Sequence, residues 1–340
     1  MSLTEVDKYE IKSHLGKGFF GDVYLAQDRA LDAVKAIKIL EAPDPAQFMK
    51  ALEEAQILHK CKHKHIVEVN EANIYEINGE SKVVIDMEYL PDGCFEDKII
   101  NYSASIHDSV RYVIDCLFAL EHAHNQGVLH RDIKPANIML CQYGAKLSDF
   151  GLATVLGTKQ AGSPKGYITH LAPEYFKNNV TTALTDIYAM GVTLFRACNY
   201  IADWISVINN ISNPKQKIIN GKLISAIGYQ SFVPAKLKRI INKACAINSV
   251  QRYQSAAEMR QALEKVQFFI DWRKHEELRW EGVCKKTKRK FMAVVESGKN
   301  KHKVNIKQNN RRLTNHCSDF SCPDKAKAYM QRHISETMLK

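Results

Sequence analysis

The sequence predicts an α+β chain: strands come first, helices follow, and a basic strand-and-helix unit closes the 340 residues. Residues 21–40 hold two short runs, one around Val23 and Leu25 and one reading AVKAIKIL, that alternate in polarity and are rich in β-branched or aromatic side chains. From Ser105 onward, Ile106, Val110, Val113, Ile114, Leu117 and Leu120 recur at helical spacing. The charge is divided unevenly. Residues 271–340 carry 18 Lys plus Arg against 8 Asp plus Glu, a net of +10, whereas residues 1–270 carry 30 against 29, a net of +1. At 45% hydrophobic, the chain is long enough for a large core plus a small extra unit.

Taken in order, the first feature is GKGFFGDVYLA, in which Gly16, Gly18 and Gly21 fill the pattern G-x-G-x-x-G and Val23 follows two residues on. Alone the pattern is weak, because dinucleotide-binding folds use the same glycines to open a helix. Here they lead into a strand, which favours a flap whose backbone N–H groups approach phosphate oxygens without side-chain obstruction. In the second strand, alternation puts Val34, Ala36 and Lys38 on one face. QFMKALEEAQIL reads as a helix with Phe48, Leu52, Ala55 and Leu58 on an apolar stripe. SKVVIDMEYLPDG runs as a strand into a turn broken by Pro91, Asp92 and Gly93.

Ser105 and Asp108 mark the start of the next helix. His122 and His124 near its end are two residues apart and point to different faces, so a structural role is expected of them and not metal binding. IYAMGVTLFRACNYIADWISVI is interrupted by Arg196 and Asp203 and reads as a buried central helix, not a membrane span. Ser255 and Glu258 form a capping box for the helix before the tail.

Between these helices lie HRDIKPANIML at 130–140 and SDFGLA at 148–153. They place two carboxylates, an amide, a lysine and an arginine at the spacing that phosphoryl transfer from ATP requires. In this order, and with the glycine flap upstream, the chain resembles the eukaryotic-like (Hanks-type) serine/threonine protein kinase family from about residue 8 to residue 268. The resemblance implies a two-lobed fold: a small β-rich N-lobe at 8–90, a large helical C-lobe at 91–270 and a basic extension at 271–340. It implies ATP with Mg²⁺, or Mn²⁺ as the alternative, and protein hydroxyls as acceptors.

By the same resemblance Lys38 holds the α- and β-phosphates and is oriented by Glu54, with Glu53 as the alternative. Met87 stands at the back of the adenine pocket, and Glu88, Tyr89 and Leu90 form the hinge. Asp132 is the catalytic base, Lys134 steadies the γ-phosphate and points to serine or threonine acceptors, and Asn137 and Asp149 are metal ligands. Gly16, Gly18, Gly21, Val23 and Ala36 complete the nucleotide site. Asp186 and Gly191 match the helix that braces the catalytic loop, and Arg252 matches the partner of Glu174.

The activation segment runs from Asp149 to Ala172, Pro173 and Glu174, and Thr154, Thr158, Ser163, Tyr167 and Thr169 are its candidate phosphate acceptors, with Arg131 as the pairing cation. It departs from the family pattern. Tyr167 stands where a threonine is usual and His170 where a tyrosine is usual, so the hydroxyl bracing Asp132 and Lys134 falls to Ser163 or Thr169, or is missing. A kinase-shaped scaffold without turnover is the competing reading, and the intact set Lys38, Asp132, Asn137 and Asp149 weighs against it.

No internal repeat or signal peptide is visible, and nine scattered cysteines suit reduced thiols in the cytoplasm. In the tail, residues 285–313 suggest two or three short strands around Ser297 and Gly298, and PDKAKAYMQRHISETML suggests an amphipathic helix. With Trp272, Trp280 and Phe291 the basic unit admits nucleic-acid binding; a surface packed on the large lobe, or docking of an acidic protein partner, is the favoured reading. Cys284, His316, Cys317, Cys322 and His333 offer zinc ligand types, but at a spacing that matches no strong zinc pattern.

Overall fold

The computed structural model describes residues 4–18, 21–40, 56, 59, 61–149, 169–299 and 301–340. Its first sheet is built from β1 (Glu5–Val6), β2 (Tyr9–Gly18), β3 (Gly21–Asp28), β4 (Ala33–Leu40), β5 (Val69–Ile77) and β6 (Glu80–Glu88) in the order β1-β2-β3-β4-β6-β5. Every neighbour is antiparallel. Alternation sends Ala26, Ile37, Ile39 and Val84 to a core shared with Val6, Tyr9 and Ile77. The Tyr9 hydroxyl donates to the buried carboxylate of Asp86 at 2.9 Å, so this small core contains a satisfied polar pair.

The second lobe is helical: α1 (Phe95–Ile100), α2 (Ile106–Asn125), α3 (Pro173–Asn178), α4 (Ala183–Cys198), α5 (Trp204–Asn209), α6 (Pro214–Ile219), α7 (Leu223–Ile227), α8 (Ala235–Ala244) and α9 (Ala256–Glu264). A two-stranded hairpin, β7 (Ile138–Cys141) with β8 (Gly144–Leu147), packs on α2. The start of α2 is capped as its sequence indicates: Ser105 Oγ accepts the Asp108 N–H at 3.1 Å and the Asp108 carboxylate accepts the Ser105 N–H at 3.2 Å. At α9 only half of the box forms. Ser255 Oγ accepts the Glu258 N–H, but Glu258 reaches one residue further, to the Gln254 N–H.

The run expected as one central helix is two. α4 ends at Cys198, the chain turns, and α5 begins after Asp203, whose carboxylate accepts the Ser206 N–H at 2.9 Å. Asp203 is therefore a cap. Arg196 stays buried because its guanidinium grips both carboxylate oxygens of Glu96 and the carbonyls of Ile201 and Ala202. Gly191 lets α4 approach the end of α8, since a Cβ there would stand 2.7 Å from Cys245 Sγ and 2.8 Å from Ala244 Cβ.

The basic tail is a folded unit. β9 (Ile270–Glu276), β10 (Arg279–Cys284), β11 (Lys290–Ser297), β12 (His302–Gln308) and β13 (Arg311–Arg312) form an antiparallel sheet in the order β13-β12-β11-β10-β9, β14 (Ser318–Phe320) pairs with β12, and α10 (Pro323–Met338) packs against it. The expected strands and final helix are present; β9 and β10 are additional. The buried face of this sheet joins the core of the helical lobe: the Trp280 ring lies 4.8 Å from that of Phe232 and 5.7 Å from that of Tyr200.

This burial corrects the aromatic reading of the tail. Trp272 and Trp280 are 1% and 0% exposed, so neither is available to stack on a base. The zinc ligand types do not converge either: among the described residues, no three of Cys284, His316, Cys317, Cys322 and His333 bring ligand atoms within reach of one another. The Cys317 thiol instead contacts the carbonyls of Leu313 and Ile306, and Cys284 Sγ accepts the Thr287 N–H. Among the described residues, no helix is long and apolar enough to cross a membrane.

Candidate active site

The strand register gathers the nucleotide-site candidates of the small lobe. Val23 pairs with Lys38, and Lys38 with Ile85; two residues along, Leu25 pairs with Ala36 and Ala36 with Met87. Val23, Ala36, Lys38 and Met87 therefore share one face of the sheet. Gly16 lies opposite Val23 and Gly18 opposite Gly21, at the tip of the β2–β3 hairpin. Gly21 has φ +152°, and a Cβ on it would meet the Ile39 carbonyl oxygen at 1.9 Å, so the strand pairing itself requires glycine there. Nothing lies within 4 Å of a Cβ on Gly16. Across this hairpin His14 Nε2 bonds Asp22 at 2.8 Å.

At the end of β6 the backbone N–H of Glu88 donates to the Glu68 carbonyl at 3.0 Å. The Glu88 carboxylate accepts the Glu68 N–H at 2.8 Å and takes Lys146 Nζ on both oxygens, at 2.6 and 2.8 Å. Sequence reasoning did not single out Lys146. The one signal available was that it is the sole charged residue of β8, whose sequence is GAKL. The strand end containing Glu88 is thus tied to the large lobe, with Leu90 two residues on.

Asp186, 1% exposed in the first turn of α4, organises the loop that carries Asp132. Its carboxylate accepts the N–H groups of His130 at 2.9 Å and Arg131 at 2.8 Å and bonds His124 Nε2 at 2.8 Å. These bonds hold Arg131 at φ +67°, a conformation that a non-glycine residue keeps only when its surroundings impose it. His124 has the structural role expected of it. Burial holds the His130 imidazole below its ordinary pKa against the pull of Asp186, Asp132 and Asp149, and its Nδ1 accepts the Asp132 N–H at 3.3 Å.

Asp132 Oδ2 then receives two donors, Lys134 Nζ at 2.7 Å and Asn137 Nδ2 at 2.9 Å, and Asn137 Nδ2 also donates to the Asp132 carbonyl at 2.7 Å. Asn137 closes the short 3₁₀ turn Pro135–Asn137, whose φ is pre-set by proline at its first position. The Asn137 carbonyl accepts both the N–H and the hydroxyl of Ser148, at 2.9 and 3.1 Å, which joins this loop to Asp149.

Asp149 adopts φ +57° and accepts Lys38 Nζ on Oδ1 at 2.7 Å. Lys38 is 1% exposed and lies 111 residues away in sequence, so this pair spans the cleft between the lobes. Burial pushes the Asp149 carboxyl up, but the Lys38 ammonium with its hydrogen bond, assisted by Lys134, outweighs burial and leaves it below the usual carboxylate range. Two cations and three hard oxygen-bearing side chains therefore meet across the cleft, Lys38 from the small lobe and the rest from the large one. Such a set attracts a polyanion and a divalent ion together.

Arg252 bonds both oxygens of Glu174, at 2.7 and 2.8 Å, as the sequence implied. Thr169 is 1% exposed, and its Oγ1 accepts Trp204 Nε1 at 2.7 Å, which argues against it as a phosphate acceptor; the His170 ring lies 5.8 Å from that of Trp204. Glu53, Glu54, Thr154, Thr158, Ser163 and Tyr167 lie outside the described residues, as does most of the helix expected at 47–58.

A strand-rich lobe above a helical one, with a lysine–aspartate pair across the cleft and a second aspartate held by lysine and asparagine, defines a domain built to handle phosphate groups. The sequence matches the family described as "Protein kinase domain" over residues 9–268, and the chain belongs to that family. It is 30% identical over 270 residues to the serine/threonine-protein kinase PknB of Mycobacterium leprae, covering 76% of this chain and 43% of that protein. It is 31% identical over 262 residues to the serine/threonine-protein kinase PrkC of Bacillus subtilis, covering 74% and 39%. The chain thus spans less than half the length of these curated relatives. The crystal structure of the Mycobacterium tuberculosis PknI kinase domain superposes with a TM-score of 0.57 at 24% identity, over 78% of this chain and 99% of that one, a likeness of fold.

Proposed function

We propose that the chain is a serine/threonine protein kinase that transfers the γ-phosphate of ATP to protein hydroxyls and phosphorylates its own activation segment. The observation that carries this reading is the 2.7 Å bond between Lys38 and Asp149, formed beside the Asp132, Lys134 and Asn137 cluster. In this reading the backbone of the Gly16, Gly18 and Gly21 hairpin covers the phosphates, and Lys38, oriented by Glu54, holds them. Val23, Ala36 and Met87 line the adenine site. The Glu88 N–H is committed to Glu68, and in this reading the Glu88 carbonyl and the N–H of Leu90 meet the adenine edge.

Asp132 accepts the proton of the attacking hydroxyl. Lys134, already 2.7 Å from that carboxylate, both restrains it and faces the transferring phosphoryl group. Asp149 and Asn137 fit a divalent metal: they offer a carboxylate and an amide oxygen, and the Asn137 nitrogen is already engaged by Asp132, which leaves its oxygen as the ligand atom. Bound Mg²⁺ or Mn²⁺ would neutralise charge on the β- and γ-phosphates. Nine free thiols support a reducing, cytoplasmic setting.

The test is transfer of labelled phosphate from ATP to the chain itself and to a generic basic protein, with phosphorylated residues mapped afterwards. Asp132→Ala should lower the rate at least about a hundredfold, and acceptors should be serine or threonine. Equal silence of both proteins with every divalent metal tried would instead support a scaffold.

A further inference from the structure

The sheet of the C-terminal unit is strongly charged at one end. The turn between β10 and β11 holds Lys285, Lys286, Lys288 and Arg289 and leads into Lys290, all exposed. Beside it, the turn between β12 and β13 leads into Arg311 and Arg312, also exposed. Two hydrogen bonds hold these turns together: the Asn309 N–H to the Lys290 carbonyl at 2.8 Å and the Lys290 N–H to Asn309 Oδ1 at 3.0 Å. None of the seven cations forms an ion pair with a described residue; the paired acids of this unit, Asp271, Glu277 and Glu281, are held by Arg273, Lys274, Arg279 and Lys327. Glu296 and Asp319 flank Lys303 toward the opposite end, and only their more distant field, with that of the Cys317 sulfur, reaches Arg312. Crowded like charges without interleaved acids repel one another, and an anion seated among them relieves that repulsion.

The place of this end relative to the cleft is fixed. The Lys285 N–H donates to the Phe269 carbonyl at 2.9 Å, and the neighbouring Phe268 ring meets that of His107 at 4.9 Å while Arg273 bonds Asp108 at 2.7 Å, the latter two at the start of α2. The catalytic loop is tied to the other end of that helix through His124 and Asp186. Between His107 and His124 the helix axis rises by about 25 Å, the least separation of the two places. An extended chain spans that distance in roughly eight residues.

We propose that the 285–290 and 311–312 end of this sheet docks an acidic segment of the protein substrate, lying about eight or more residues from the hydroxyl to be phosphorylated; this rests on the protein-kinase reading. The chemistry of the patch selects a polypeptide. No aromatic side chain stands among the seven cations in the sequence of either turn to stack on bases; Trp272 and Trp280 are buried, and Phe291, next to Lys290, is half-buried against the core with its ring 6.2 Å from that of Trp272. No apolar residue interrupts 285–290 or 309–312 to enter a lipid surface. Glutamate and aspartate side chains on an extended strand need only the cations.

The experiment is binding of a fluorescent oligoglutamate peptide to the full chain, with duplex DNA and phosphatidylserine vesicles as separate arms. The peptide should bind more tightly than either and weaken at least tenfold between about 50 and 200 mM salt. A K285Q/K286Q/K288Q/R289Q/R311Q/R312Q variant, with unchanged melting temperature and self-phosphorylation, should lose at least tenfold in peptide affinity and raise KM selectively for substrates with a distant acidic tract. Equal binding by wild type and variant, or tighter binding of DNA or vesicles, overturns the proposal. Asp132→Ala should bind the peptide as wild type does, so a chain without turnover and a patch without function give different results.

Discussion

A methyl group on Gly21 would have to displace the Ile39 carbonyl, 1.9 Å away, and would carry φ +152° that L residues avoid. Gly16 faces open space, and a methyl there meets nothing. The two glycines of one sequence pattern thus serve different ends: Gly21 keeps β3 paired to β4, and Gly16 leaves the hairpin's inner side unobstructed. Gly21→Ala should destabilise the chain by about 2 kcal/mol or more, and Gly16→Ala by less than about 1 kcal/mol. Thermal unfolding monitored by circular dichroism compares them, and equal losses would remove the distinction. Lys38 is the counterpart among charged residues. It is tolerable at 1% exposure because Asp149 meets it, which ties a strand of the small lobe to a loop of the large one.

The pairing of α3 with the loop before α9 shows how elements are joined through one buried cation. The Arg252 side chain bonds Glu174 twice and also the carbonyls of Ala246, Leu184 and Ile247, so it pins three segments at once. Arg252→Met should cost roughly 3–5 kcal/mol by leaving Glu174 and three carbonyls without their donor, and Arg252→Met with Glu174→Leu should cost less than the sum of the single changes. Denaturant titrations of the four chains in the cycle measure the coupling; strict additivity would show that the pair is not a unit. This link was legible in the sequence because its partners occur in motifs with fixed surroundings, as were Asp132, Asn137, Asp149 and Asp186. β9 and β10 were not legible. Their outward residues Arg273, His275 and Arg279 are charged or polar, and the inward ones alternate as Ile270 and Trp272, then Trp280, Gly282 and Cys284, a pattern diluted by a glycine and by tryptophans that resemble ligand-binding residues until their burial is known. The central run failed in another way: its apolar content continues through the turn at Asn199 and Tyr200, so periodicity alone did not mark the break.

Across the whole molecule, the kinase domain and the basic unit share a single apolar core, and that continuity makes the unit's stability a property of the chain. His333 on α10 lies in this shared region, its ring 4.9 Å from that of His316 and 6.4 Å from that of Trp272. The Thr337 hydroxyl accepts Trp272 Nε1 at 3.1 Å and donates to the His333 carbonyl at 2.7 Å, so helix, histidine and tryptophan are one assembly. Burial, with repulsion from His316, lowers the His333 pKa to about 4. Because the unfolded chain takes up this proton near pH 6.5 and the folded chain does not until about pH 4, the neutral ring contributes fully above pH 6.5 and the contribution is lost as pH falls through that window. The loss amounts to about 3 kcal/mol when complete. Carboxylates elsewhere in the chain titrate in the same range, so the quantity to measure is the difference in unfolding free energy between wild type and His333→Gln from pH 7 to pH 4, followed by tryptophan fluorescence. The difference should shrink or reverse as the medium becomes acid, because only the wild type carries a buried imidazole that must be kept neutral; a gap that stays constant with pH would show that His333 is already protonated or exposed in the folded chain.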